Sequence, residues 1–178
     1  KIHLAKCLNT NNWEAVRKDI NLRPVEGVDG NCTDQEILDK LAKFGITPQA
    51  VTLWGTGKPL REFLWSEEMA DASVHVLLNV DFKDTYAEGA KEVRNCHINV
   101  GTGKELSIRE VAEKIMKEID FKGKLQWDSS KPDGTMRKLT DVSKLHALGW
   151  HHKVEIDEGI HRLYEWYLKG ICINHQTT

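Results

Sequence analysis

Two segments concentrate the residue types that grip a nucleotide. The first is Trp54-Gly55-Thr56-Gly57-Lys58-Pro59-Leu60-Arg61-Glu62-Phe63. A large aromatic ends an apolar run, two glycines make a tight loop, and an arginine follows. Arginine can hold a diphosphate through two parallel hydrogen bonds, and the Trp54 ring offers a flat face for a base or a sugar. The second is Ser130-Lys131-Pro132-Asp133-Gly134-Thr135-Met136-Arg137-Lys138. Asp133 can accept from ribose or sugar hydroxyls, and Lys131, Arg137 and Lys138 can neutralise phosphate. Solvated charged loops are the competing explanation for each segment alone. Both segments follow short apolar runs that read as strands, and pockets in mixed α/β structures tend to lie at such ends.

Other chemistries lack their residues. Gly101-Thr102-Gly103-Lys104-Glu105-Leu106 and Gly55-Thr56-Gly57-Lys58-Pro59-Leu60 each carry Leu where a dinucleotide fingerprint needs a third glycine. Neither fits a P-loop, and both read as turns using glycine for positive φ. Tyr86, Tyr164 and Tyr167 are followed four residues later by Ala90, Leu168 and Ile171, so no Tyr-x-x-x-Lys pair is present. There is no G-x-S-x-G elbow and no H-E-x-x-H helix. His146, His151 and His152 sit near a predicted helix end, where partial positive charge is favourable without any metal.

The elements that must position these segments follow from periodicity. Ile2 to Ile46 reads as helices with loops: Trp13, Val16 and Ile20 share a face, and Arg23 to Asn31 is a loop. Thr33 with Glu36 makes a capping box for a helix whose stripe is Ile37, Leu38, Leu41 and Ala42, stopped at Gly45. Val51 to Trp54 is a strand. Glu67 to Val80 is a broadly apolar helix, expected to be buried on more than one side. His97 to Val100 is a strand. Ser107 and Glu110 cap a helix carrying Ile108, Val111, Ala112, Ile115, Met116 and Ile119 at the 3.6-residue period. Lys124 to Asp128 is a strand, Ser129 to Arg137 a loop, and a short helix ends at Gly149. The last helix carries Ile156, Ile160, Leu163, Tyr164 and Tyr167.

The bulk numbers bound the rest. The chain has 178 residues, 40% hydrophobic and 29% charged, with a formal net charge of −2. That is ordinary globular composition. No basic block argues for nucleic acid, and no polybasic or long apolar stretch argues for a membrane. Cys7, Cys32, Cys96 and Cys172 are widely and irregularly spaced, which reads as free thiols in a reducing cytoplasm.

Taken together, the segments resemble the GDP-L-fucose synthase family, extended short-chain dehydrogenase/reductases that epimerise and reduce a GDP-sugar. The similarity runs from Lys1 to about Leu168. It is most specific in VTLWGTGKPLREFL (51–64), HINVGTGKELSIREVA (97–112), SKPDGTMRKLTDVSKLHALGW (130–150) and the closing Tyr164-Glu165-Trp166-Tyr167. The resemblance implies a mixed, helix-rich α/β fold: the small C-terminal substrate-binding domain, without the Rossmann domain. It assigns GDP-sugar contacts to Lys1, Trp54, Arg61, Asp133 and Lys138, and implies no catalytic, cofactor-binding or metal residue in this chain. It further implies a parent enzyme, a homodimer, that makes GDP-L-fucose from GDP-4-keto-6-deoxy-D-mannose. The parent uses NADPH held by the N-terminal domain, and the fragment alone is expected to be inactive and to bind no cofactor. The implied organisation is a helical appendage at 1–48, a GDP-sugar-binding domain at 49–170 and a tail at 171–178. Trp65-Ser66-Glu67-Glu68 replaces the Val-Asp-Asp that usually follows Arg-Glu-Phe-Leu, and Asn9 to Pro48 is longer than the link in many members. A non-catalytic interaction module using Ile2 to Ile46, and the equivalent domain of another sugar-nucleotide epimerase, remain as alternatives.

Overall fold

The computed structural model describes residues 1–89 and 91–173. Expectations about the Cys172 side chain and the tail beyond Ile173 fall outside that description. Among the described residues the chain forms a mixed α/β fold. In order, its elements are helices α1 (Ile2–Asn9), α2 (Trp13–Leu22) and α3 (Asp34–Lys43), strands β1 (Ala50–Trp54) and β2 (Leu60–Glu62), helix α4 (Ser66–Asn79), strand β3 (Glu105–Ser107), helix α5 (Ile108–Ile119), strand β4 (Lys124–Asp128), and helices α6 (Ser143–Ala147) and α7 (Ile156–Ile173).

The helix starts follow the local chemistry. Thr33 and Ser107 each accept from the third helical amide, Glu36 and Glu110, and each acidic side chain returns to the capping residue. Helix α3 ends at Lys43 with Phe44 as its cap, and Gly45 follows with a φ of +70° that breaks the helical path.

β1 and β4 pair in parallel, with Val51 opposite Leu125 and Trp54 opposite Asp128. Both strands therefore deliver their carboxyl ends, and the loops that follow, to one edge. β2 and β3 form a separate antiparallel pair, Leu60 opposite Ser107. The sequence carries no strand signal there, because three residues are too few to show a period. Two-stranded sheets are marginal in water alone, and β1 is held by packing. Val51 lies fully buried in one cluster with Ile2, Leu4, Leu8, Val16, Ile20, Ile37, Leu41, Ile119 and Phe121. Burying a side chain of this size contributes about 1.5–3 kcal/mol. This cluster crosses residue 48: helices α1–α3 share their apolar faces with β1 and α5. Ala42, predicted in the stripe of α3, is exposed.

Two further expectations are corrected. His97–Val100 has no ladder partner. It is held by side chains instead, through Asn99 Nδ2 donating to the Asp141 carbonyl at 2.9 Å and Lys144 Nζ to the His97 carbonyl at 3.0 Å. Helix α4 is not buried on several sides. Only Glu68 and Ala72 are buried, while Leu77 and Leu78 are 80% and 74% exposed, with Met69 and Val74 also in solvent. Its inward side packs Ala72 and Val76 against Leu145 and Trp150 and adds acidic anchors: Glu68 Oε1 accepts from the Lys153 and Val154 amides, and Asp71 accepts from Trp150 Nε1 at 2.8 Å.

Candidate functional site

At the shared carboxyl edge of β1 and β4 the two loops are joined through Thr56. Its amide donates to Asp133 Oδ1 at 2.9 Å and its hydroxyl to Asp133 Oδ2 at 2.6 Å. The hydroxyl oxygen accepts from the Lys58 amide at 3.2 Å. Asp133 stands so close that a Cβ on Gly55 would come within 2.3 Å of its Oδ1, and Gly55 has φ +78°. Only glycine fits there. The hydrogen bonds from the Thr56 hydroxyl and amide hold the Asp133 carboxyl below the ordinary aspartate value, so it is ionised at neutral pH.

Around this clamp the cations and the aromatic ring gather. Trp54 is 73% exposed, and the Lys131 ammonium lies 5.7 Å from its ring centroid. Gly55 N donates to the Asp128 carbonyl at 2.9 Å, continuing the strand pairing one residue past β1. Arg61 Nη1 donates to its neighbouring Leu60 carbonyl at 2.6 Å, and its Nη2 lies against Gly134. The Leu60 amide reaches the Met136 carbonyl at 2.8 Å, so the two loops also meet along their backbones. Trp54, Arg61 and Asp133 are thus brought together.

Lys138 and Lys1 stand differently. Lys138 lines a broad cleft of about 710 Å³ with Arg137, Thr140, Asp141, Ser143 and His146. None of Trp54, Arg61 and Asp133 lines it. Lys1 Nζ donates to the Thr52 carbonyl at 3.2 Å, two residues before Trp54 on β1. Burial pushes the Lys1 ammonium below its usual value.

Sequence reasoning passed over Glu62. Its Oε1 accepts from the Thr102 and Gly103 amides at 2.6 Å each, and its Oε2 accepts from the Thr140 amide at 3.2 Å and from the Thr140 hydroxyl. Burial alone would raise this carboxyl, but the bonds from Thr140, Gly103 and Thr102 bring it below the ordinary glutamate value. One carboxylate therefore fastens the Gly101 turn and the 138–140 strap to β2. The signal was present as an acidic residue beside Arg61, but its partners lie 40 and 78 positions away in sequence.

The histidines form no metal-like set. His146 and His151 stack at 4.2 Å, and His152 Nε2 faces Glu155 at 3.4 Å. Among the described residues no group of three or more His, Cys, Asp or Glu could hold a metal.

Helix α5 follows the Gly101 turn closely, and its start bears on whether an anion can be held there. A pyrophosphate needs free amides at a helix start. In the first turn of α5 those amides are taken: Ile108 N donates to the Pro59 carbonyl at 3.0 Å, Arg109 N to the Gly57 carbonyl at 2.9 Å, and Glu110 N to Ser107 Oγ at 3.1 Å.

Known proteins resemble the chain both in sequence and in fold. The profile of the NAD dependent epimerase/dehydratase family matches residues 29–101. GDP-L-fucose synthase 1 of Arabidopsis thaliana is 48% identical over 124 residues, covering 70% of this chain and 35% of that protein. The crystal structure of a GDP-6-OMe-4-keto-L-xylo-heptose reductase from C. jejuni superposes with a TM-score of 0.81 at 39% identity, covering 95% of this chain and 45% of that one. A GDP-mannoheptose C4 reductase from Campylobacter jejuni with NADP bound gives 0.77 at 38% identity, covering 94% and 44%. The chain therefore spans about a third of the curated relative's length and less than half of either structure. The chain is thus similar to part of the GDP-L-fucose synthases and GDP-sugar reductases, and its residues 29–101 match the NAD dependent epimerase/dehydratase model.

Proposed function

We propose that this chain is the GDP-sugar-binding part of a GDP-L-fucose synthase, an enzyme that converts GDP-4-keto-6-deoxy-D-mannose to GDP-L-fucose. The observation that carries the reading is the Asp133–Thr56 clamp, which draws the Trp54–Arg61 loop and the 130–138 loop to one edge of a parallel strand pair. Ligands bind outside the carboxyl ends of parallel strands in open α/β sheets. Trp54 supplies a stacking face, Arg61 and Lys131 supply cations for a diphosphate, and Asp133 keeps unused lone pairs for hydroxyls. Lys138, in the cleft beside Arg137, and Lys1, on the Thr52 carbonyl of β1, are the further cations this reading assigns to the GDP-sugar. The chain's contribution is binding energy and orientation of the sugar. The acid–base groups for 3,5-epimerisation and the NADPH used in 4-reduction belong to sequence outside this chain. Free Cys7, Cys32 and Cys96 suit a cytoplasmic setting.

The relatives' names share GDP and differ in the sugar, fucose in one and heptoses in the others. That favours a second, narrower reading in which GDP is the recognised unit and the pyranose is chosen elsewhere. Titrating the folded chain with GDP, UDP and dTDP, followed by tryptophan emission, tests both. GDP is expected to give a saturable change at lower concentration than the other two. A flat response to GDP into the millimolar range, with circular dichroism confirming the fold, overturns the proposal. Equal responses to all three leave a nucleotide site without guanine preference and overturn the GDP assignment.

A further inference from the structure

On the side of the Thr56 turn away from Asp133 stands Arg109, in the first turn of α5. Its Nη2 donates to the Thr56 carbonyl at 3.0 Å. With that bond, every polar group of Thr56 is engaged: amide and hydroxyl on Asp133, hydroxyl oxygen on the Lys58 amide, carbonyl on Arg109. The Arg109 guanidinium lies 4.6 Å from the centroid of the Trp127 ring. Trp127 in turn closes under the turn: a Cβ on Gly57, at φ +75°, would meet its ring atoms at 2.6 to 2.9 Å. The Trp127 indole nitrogen is buried without a hydrogen-bond partner, so stacking and packing hold the ring in place. Meanwhile the backbone amides of Ile108 and Arg109 hold the carbonyls of Pro59 and Gly57.

The loop between Trp54 and Arg61 is therefore gripped from two sides. Asp133 ties it to the neighbouring loop, which also faces the ligand. Arg109 and Trp127 tie it to α5 and β4, which do not depend on any ligand. A guanidinium is planar and can lie flat on an indole while one of its N–H groups reaches a carbonyl, whereas an ammonium is a point charge that cannot do both.

We propose that Arg109 is a positioning residue for nucleotide binding. It orders the Trp54–Arg61 loop before the nucleotide arrives, acting through the Thr56 carbonyl and the Trp127 ring. The idea rests on the nucleotide-site reading above and names a residue that reading did not include. A loop already ordered spares the ligand the cost of fixing it, so losing the order weakens binding without requiring a lost contact.

The test compares the wild-type chain with Arg109→Ala and Arg109→Lys. The first measurement, made without ligand, is hydrogen exchange at the Thr56 amide. Arg109→Ala is expected to speed that exchange by about tenfold, the effect of losing one charge-assisted bond. Arg109→Lys should fall between the two. The second measurement is the GDP titration, where Arg109→Ala should weaken binding by about tenfold, with the thermal midpoint close to that of wild type. A purely structural role would lower the midpoint together with affinity. Unchanged Thr56 exchange in Arg109→Ala overturns the proposal, as does full recovery of both readouts by Arg109→Lys. If wild type itself shows no GDP binding, the functional reading fails, and the exchange data alone decide whether Arg109 orders the loop.

Discussion

At the scale of single residues, the carboxylates decide how the loops are arranged. Glu62 is the most heavily used, accepting from three backbone amides and from the Thr140 hydroxyl. Replacing it with alanine strands those donors. We expect a loss of about 2 kcal/mol in unfolding free energy, read from the urea midpoint at neutral pH. The pH dependence follows from its depressed carboxyl. The unfolded chain takes up the proton first, near the ordinary value of 4.5. Stability from Glu62 is therefore fully present above that value and is lost as pH falls through the lower folded one. The gap between wild type and Glu62→Gln should narrow in acid. Of these partnerships the sequence showed only the residue types. Trp54, Arg61 and Asp133 were legible because aromatic, cation and carboxylate stood beside glycine turns. Glu62 and Arg109 were not, because their roles depend on partners that only the fold brings near.

At the scale of elements, the capped helices and the two strands of the parallel pair could be read from the sequence, since capping boxes and apolar runs are local signals. The β2–β3 pair could not, and His97–Val100 mimicked a strand because alternation alone does not supply a neighbouring edge. Helix α5 links this scale to the site, since its first turn holds the Thr56 loop. Ser107→Ala removes its cap and should cost about 1 kcal/mol. The same urea titration measures it, with weaker GDP binding as a second consequence. Gly57→Ala is the sharper lesion. It asks for a positive φ from alanine and pushes a methyl into Trp127. Nucleotide binding should be lost in a chain whose helical circular dichroism persists.

At the scale of the whole molecule, helices α1–α3 are not an independent attachment. Ile20 on α2 and Ile119 on α5 belong to one core. Ile20→Ala and Ile119→Ala should each cost about 2–5 kcal/mol and leave a single cooperative transition. Removing residues 1–46 should abolish cooperative melting, because Val51, Ile119 and Phe121 would face water. This interlocking was hidden from the sequence, where a change of texture near residue 48 suggested a boundary. Amphipathic periodicity tells which face a helix buries but not against what. Helix α4 shows the converse error: its breadth of apolar residues implied a deep interior, yet its outer face meets solvent.

The ammonium of Lys144 donates to the carbonyls of Thr85 and His97 at 2.9 and 3.0 Å, and to that of Asn95. It thereby spans a stretch in which, among the described residues, the one regular element is the short 3-10 turn at Phe82–Thr85. Lys91 and Arg94 within that stretch are exposed to a protease. Limited trypsin digestion should cut there, and the two pieces should nonetheless co-elute on a sizing column. Each new end stays anchored to α6 by the same nitrogen. In Lys144→Ala the nicked chain should come apart at lower urea concentration than nicked wild type.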